Sequence, residues 1–427
     1  MKLRRRIAML QSFVHQRREA LRFENIPDPR KARGVRWSLP TLLSTAMWSL
    51  LLLSRSLRGA EALSADLSSS KRLRIARRVP DSTLGDLLAR LDPEPLREHV
   101  REHLRAEHRR KALAPTVIPI GAVSIDGKEI ARTAERWHPE CQEQTGEDGR
   151  PQFSFRVLNA SLVSAAAPVC IDQMPVPAST NEMSCFQPFV TSLLAAYGRS
   201  NLIDVFVTDS GSTSEANARF VDDRQLGYVM ALKGNQPELE REARRVMALR
   251  TQGEPDFETP WHSDSSRGVI CQQLFRSVEM ARWGTWSHLR QVWLVRTLAR
   301  PSRGAQGPAH VLEERLYLTN LVVGRLKPEH CLALVRAHWR IENELHGRLD
   351  IEWQEDAGRW VRRGNGLPVC ALLRVLAFNL LALLSAVHLR SKAAREVTWR
   401  TLRDWLRDAL LHPLVNDAAP EVDTATP

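Results

Sequence analysis

Residues 202–239 read LIDVFVTDSGSTSEANARFVDDRQLGYVMALKGNQPEL. Two short apolar runs stand out, LIDVFVTD (202–209) and GYVMALKG (227–234), each rich in branched or aromatic residues and bounded by turn formers. Their length and composition are those of buried strands. Between them STSEANARFVDD has helical spacing behind a Ser cap, and PELEREARRVMALR opens a second helix with Pro at its start. Strand, helix, strand, helix in so few residues predicts an α/β fold with a parallel strand pair. The first of these strands ends on an acid, Asp209.

Upstream the same grammar continues. TVIPIGAVSID (116–126), FSFRVLNASLVS (153–164) and APVCIDQMPV (167–176) read as extended runs, and NEMSCFQPFVTSLLAAYG as a helix. The expected order is βββαβαβα, with the first and fourth strands delivering Asp126 and Asp209 at their C-terminal ends. From 251 to 323 the pattern turns β-rich again, in VICQQLFRSVEM, LRQVWLVRTLA and ERLYLTNLV around the break PSRGAQGP. A helix follows over 327–349. The apolar helix 367–389 is interrupted by Arg374 and Asn379, which marks a core helix rather than a membrane span. Residues 1–115 have a helical pattern with breaks at PDPRKARG and VPDST, Asp81 or Ser82 capping one helix, and KALAPT (111–116) reads as a linker. The last residues, 413–427, have too little apolar surface to fold and are expected to form a disordered tail.

Charge is unevenly placed. Residues 1–115 carry 25 Lys and Arg against 12 Asp and Glu, whereas the other 312 carry 36 against 37. A basic segment on a near-neutral body fits contact with a polyanion, because cations that displace counterions from phosphates bind without reading sequence. Arg chosen merely for solubility accounts for the surplus equally well. Six scattered cysteines with no CxxC spacing exclude a zinc ribbon and a disulfide framework, in keeping with a reducing cytoplasm. The run LPTLLSTAMWSLLLL (39–53) is shorter than the ~20 residues a bilayer needs. No secretory signal is legible at the start, and no membrane association is expected.

In HWRIENELH (338–346), His338, Glu342 and His346 recur four apart and share one stripe of a helix, beside the apolar stripe of Leu334, Val335, Ile341 and Leu345. With two strand-end aspartates this glutamate completes a candidate divalent-cation site. Neighbouring parallel strands bring their C-terminal ends together, where ligand groups of α/β sheets gather. Carboxylates suit Mg²⁺ or Mn²⁺, hard ions that keep several waters and pair with substrate phosphates. Gly127 is expected to leave room for a nucleic-acid backbone. An aspartate at a strand end also caps turns, so spacing alone leaves both readings open.

Several blocks then carry a family likeness. FENIPDPRKARGVRWSLPTLL, VPDSTLGDLLARLDP, SIDGKEIART, STNEMSCFQPFVTSLL, VTDSGSTSEANA, GYVMALKGNQPEL and HWRIENELHGRLDIEWQEDAGRWVRRGNGLPVCALLRVLAFNLL occur in this order. Together they resemble the blocks of bacterial insertion-sequence transposases of the DDE type, in the H-repeat-associated (ISAs-type) subgroup, from about residue 20 to about 385. The departures are Gly347 where Trp is usual, Ser210 where Ala is common, and Thr180 before Asn181.

The resemblance implies an α/β fold with an RNase H-like mixed sheet core, carried by 116–250 and 324–412, a β-rich insertion at 251–323, and an all-helical DNA-binding region at 1–115. It implies an acidic triad of Asp126, Asp209 and Glu342 that binds two Mg²⁺, with Mn²⁺ substituting, to cleave element ends and join them to target DNA. DNA contacts are implied for Arg30, Arg33, Arg36, Lys128, Lys233, Asn235, His338 and Arg340, and support of Glu342 for Asn343 and His346. Glu355, Asp356 and Arg359 are expected in an ion network or at the site, and Trp286 and Trp293 on a base at the cleaved end or, like most tryptophans here, in the core. The implied partners are double-stranded DNA, as terminal inverted repeats and target, and a second copy of the chain in a homodimeric synaptic complex. A nucleoid-associated cytoplasmic protein is expected. The other readings are a catalytically decayed or co-opted DNA-binding protein, and a metal-dependent nuclease that cuts without joining.

Overall fold

The computed structural model describes residues 3–21, 23–33, 35–52, 54–198, 200, 202–264, 267–300, 308–357, 360–389 and 397–411. The expected tail at 413–427 lies outside them, as do Arg359 and most of the PSRGAQGP break. Strand β1 (Ala122–Thr133) pairs antiparallel with β3 (Pro151–Leu162) on one side and parallel with β5 (Val205–Thr208) on the other. Beyond β3 lie β4 (Val169–Pro175) and a short edge strand, β2 (Gln142–Thr145), that the sequence reading did not contain. β5 pairs parallel with β6 (Gly227–Leu232). The core is a mixed sheet with helices, as the alternation of periods predicts.

The β-rich stretch continues this sheet instead of forming a layer of its own. β11 (His310–Thr319) pairs antiparallel with β6, β10 (Gln291–Arg300) with β11, and β9 (Gly268–Ser277) with β10. The short β7 (Phe257–Glu258) and β8 (His262–Asp264) both border β9. The result is an eleven-stranded sheet among the described residues.

One helix organises the opposite side. α12 (Gly366–Leu383) is long and apolar enough to cross a membrane, yet it is buried along its whole length inside the protein. Among the described helices of residues 3–109 are α1 (Leu3–Ala20), α2 (Leu39–Leu51), α3 (Leu57–Ala65), α4 (Leu67–Leu73), α5 (Asp81–Arg90) and α6 (Pro93–Arg109). Leu42 and Met47 of α2, Leu84 and Leu88 of α5, and Val100 and Leu104 of α6 join α12 in one continuous core. Pro80, not Asp81 or Ser82, is the cap of α5, and the Asp81 amide donates to the Glu61 carboxylate at 3.1 Å.

That packing consumes part of the N-terminal charge. Arg97 and Arg101 of α6 both grip the fully buried Asp172 of β4, at 2.7 Å each, and Arg17 holds the buried Glu107. Arg97 and Arg101 fasten the helical region to the sheet, Arg17 ties α1 to α6, and all three are buried. Counting charge by segment missed this because Asp172 lies outside the segment counted.

Candidate active site

Side chains alternate across a strand, and strands in register point the same way at the same level. Val205 and Val207 of β5, Val229 of β6 and Tyr317 of β11 bury one face of the sheet against Leu334 and Val335 of α10 (Pro328–Arg340). The same alternation places Ser124, Asp126 and Lys128 of β1 on that face, with Asp209 just past β5, Lys233 just past β6 and Arg315 in β11. The parallel ladder ends at Ile125 opposite Thr208, so Asp126 and Asp209 stand next to each other one residue further on. Asp126 is not at the end of its strand: β1 runs on to Thr133 because β3 still pairs with it, and only the parallel pairing stops.

Glu342 comes down from the covering helix. Residues Ile341–His346 form a π-helical turn between α10 and α11 (Gly347–Trp353). Such turns are rare and often sit at functional sites. Here the wider turn, closed by the Gly347 amide on the Glu342 carbonyl, changes the phase on which the expected stripe depended. Both imidazoles nonetheless reach the sheet.

The His346 ring is the better defined. Asn159 Nδ2 donates to its Nε2 at 3.0 Å, and Gln173 Nε2 donates to Asn159 Oδ1 at 2.9 Å, which fixes the amide's orientation. Nδ1 therefore carries the proton and faces Asp126 Oδ2 at 3.6 Å. Burial pushes His346 down to about 3, with Lys128 and His338 adding to the effect, so this is a neutral ring beside a carboxyl and not an ion pair. His338 meets Ser124 Oγ through Nδ1 at 2.6 Å, and burial pushes it down to about 4. Its Nε2 is buried with no partner.

The acids repel one another. Burial first, then the charges of Asp209, Glu342 and Glu182, push Asp126 up to about 8, against one opposing bond from the Gly127 amide at 2.9 Å. Burial also raises Glu342, with Arg315 and Lys233 pulling it down and Asp209 pushing it up. Glu182, at the start of α7 (Glu182–Tyr197), is the acid that the sequence reading passed over. Burial raises it, Arg156 opposes, and Asp209 adds to the rise. Its only signal was its place in the STNEMSC block. Its carboxylate occupies the space over Gly127 where a Cβ would stand, so the missing side chain brings Glu182 close to the β1 backbone. Asp209 does cap a turn, accepting from the Gly211 amide at 2.9 Å, so the capping role and a place in the cluster coexist.

Other expected contacts lie elsewhere. Lys128 is buried and its ammonium is committed to Asp350 at 2.7 Å. Behind it the wholly buried Glu355 lies 3.7 Å from Arg374, which makes that block an internal ion network. Arg340 is tied down by the Val163 and Ala165 carbonyls and by Glu344. Asn235 donates to the Ser210 and Thr213 carbonyls at 2.8 and 3.0 Å, bracing the turn after Asp209. Lys233 is exposed at the mouth of the site, and Asn343 is exposed beside Glu342. Trp286 and Trp293 are 3% and 1% exposed core residues, inaccessible to a base. Arg30, Lys31, Arg33, Arg36 and Arg90, with Asp86, line a separate 470 Å³ cleft beside α5. Arg30 is held there by Asp28 and the Trp37 carbonyl, and Arg36 lies 4.8 Å from the Trp37 ring.

Among the described residues no three His, Cys, Asp or Glu side chains are gathered to hold a metal ion as they stand. The donor chemistry still fits a hard cation: the ligands are carboxylate oxygens, and their mutual repulsion, carried most heavily by Asp126, is what a divalent charge relieves.

The Transposase DDE domain family matches residues 119–380, more than half of the chain. "Putative protein YbfL" of Escherichia coli (strain K12) is 23% identical over 266 residues, 61% of this chain and 63% of that protein. "H repeat-associated putative transposase YhhI" of the same strain is 22% identical over the same share of each. "Putative transposase YncI" of Escherichia coli O157:H7 is 26% identical over 60% of this chain and 68% of its own. The chain thus spans less than two thirds of the first two relatives. A chain of the piggyBac transposase synaptic complex with hairpin DNA aligns over 98% of this chain and 80% of that one, at 12% identity and a TM-score of 0.46. On the family match, which contains Asp126, Asp209 and Glu342, this chain belongs to the Transposase DDE domain family and is similar to its bacterial H repeat-associated members.

Proposed function

We propose that the protein is a DNA transposase that cleaves the ends of its element and joins them to target DNA, with Asp126, Asp209 and Glu342 as the carboxylates of a Mg²⁺ site that also accepts Mn²⁺. The observation that carries the reading is the raised Asp126, pushed up to about 8 by burial first and then by the charges of Asp209 and Glu342 beside it. Groups forced together against their own repulsion are characteristic of functional sites. The strand order β4-β3-β1-β5-β6 supports an RNase H-like core.

Bound divalent cations would supply activation of the attacking water and stabilisation of the leaving oxygen of a phosphodiester. The chain's own groups set the stage. His346 Nδ1–H and the Gly127 amide orient the two oxygens of Asp126. The turn capped by Asp209 is braced by Asn235, and the π-helical turn aims Glu342 at the sheet. Lys233 faces the DNA and Asn343 supports Glu342, whereas His346 serves Asp126 and not Glu342 as the family likeness implied. His338, buried with its Nδ1 on Ser124, is not placed to touch DNA as the family likeness implied. The cleft of Arg30, Arg33 and Arg36 contacts duplex phosphates of the terminal inverted repeats. Action as a homodimer on two ends, in the nucleoid-associated cytoplasm, belongs to the same proposal.

The test is Asp209→Asn in the full chain. It is expected to abolish Mg²⁺-dependent cleavage of element-end DNA while duplex binding persists; unchanged cleavage sinks the assignment. Joining of a labelled end to a plasmid separates a transposase from a nuclease.

A further inference from the structure

We propose that the cleft between strands β9–β11 and helix α10 carries a single DNA strand past the carboxylates, with Arg315 and Arg336 contacting its phosphates. The inference rests on the transposase reading of the carboxylate site and adds a strand path to it.

The cleft encloses 530 Å³ and is lined by Arg267, Arg315, Arg336, Trp339 and Arg340. Asn343 and Glu344, which follow Glu342 in the π-helical turn, also line it, and Arg315 joins it to the site because its charge acts on Glu342. Arg315 is next in register to Lys233, because β11 pairs with β6 through Leu316 and Leu232. The two cations stand side by side on the face that carries Asp126 and Asp209. Across the sheet, negative groups thus give way to positive ones, as a polyanion needs when one phosphate sits at the acids and its neighbour beyond them.

Among the described residues, Arg315 and Lys233 are the cations whose charge acts on Glu342. His338 is neutral, and Arg340 is spent on the Val163 and Ala165 carbonyls and on Glu344. Arg315 is held ready, with its guanidinium 4.3 Å from the Trp339 ring centroid and Glu313 as its brace. Arg267 lies 5.9 Å from the same ring and 3.8 Å from Glu313. Carboxylates therefore offset much of the cleft's charge, and Asp264 adds one more. Arg336 is the exception: it is exposed, and among the described residues no carboxylate pairs with it. Guanidinium groups alternating with an aromatic ring suit a single strand, whose phosphates meet the cations and whose unpaired bases offer their faces for stacking. A duplex hides those faces.

The experiment titrates salt against binding of a fluorescent oligothymidylate of about ten nucleotides, using the full chain without metal. Each phosphate that is no longer neutralised should lower the slope of log affinity on log salt by about 0.7. Arg336→Gln, a surface change that leaves packing intact, is expected to remove one such step, and Arg315→Gln with Arg336→Gln two; Arg315→Lys should keep the slope. Unchanged slopes in both Gln variants, or no oligothymidylate binding by the wild type, overturn the strand path. Cleavage of element-end DNA is scored separately. Shallower slopes in a chain that never cleaves would keep the cleft and sink the transposase reading; cleavage with unchanged slopes would do the reverse.

Discussion

Replacing Asp126 by Asn should stabilise the metal-free protein while ending its catalysis. Asp126 is pushed up to about 8, against an ordinary carboxylate value of ~3.9. At pH 7 the folded chain therefore keeps a proton that the unfolded chain has lost about three pH units earlier, and that mismatch costs folding about 4 kcal/mol. The sign follows from proton binding: between pH 4 and pH 8 the native state binds more protons than the unfolded one, so stability falls as pH rises through that window. Asn carries no proton to lose. Its Oδ1 keeps the bond from the Gly127 amide, but its NH₂ would face the N–H of His346 across 3.6 Å, an unfavourable apposition and not a lost hydrogen bond, costing at most about 1 kcal/mol. The expected net gain is about 3 kcal/mol at pH 7, vanishing near pH 4. Urea unfolding in EDTA, followed by tryptophan fluorescence from pH 4 to pH 8.5, reads it directly. A difference between wild type and variant that stays constant across this range refutes the repulsion argument and the site built on it.

The same raised value makes cation binding pH-dependent: Mn²⁺ must displace the Asp126 proton, so affinity should climb about tenfold per pH unit up to pH 8 and then level off. Calorimetry in buffers of different ionisation heat should count about one proton released, and a flat affinity profile from pH 6 to pH 8 would count against Asp126 as a ligand. At the N-terminal cleft, Arg33→Gln with Arg36→Gln should reduce the salt slope for duplex binding by about 0.9 for every phosphate these arginines neutralise. The full chain is needed, because α2, α5 and α6 share their core with α12. Equal slopes before and after would show that this cleft does not touch phosphates.

Local chemistry made much of the molecule legible. Apolar period separates strand from helix, so β1, β3 to β6 and β9 to β11 all fall within or beside the runs expected of them. The adjacency of Asp126 and Asp209 was legible too, because two buried strands that each end their parallel pairing on an acid bring those acids together. The block order located the family, and with it Glu342.

What only the tertiary structure decided are relations between residues far apart in the chain. Glu342 reaches the acids because Leu334 and Val335 seat α10 on the β5, β6 and β11 face, and because a π-helical turn resets the direction of the helix. Glu182 lies over Gly127 through the packing of α7, which nothing in SIDGKEI records. The basic count of residues 1–115 could not show that Arg97 and Arg101 answer Asp172, nor could the spacing around Asp126 show that Lys128 answers Asp350. Periodicity reports which way a side chain points from its own element, since that follows from backbone geometry alone. Which charge it meets there depends on how remote apolar faces pack, and that is a property of the whole fold.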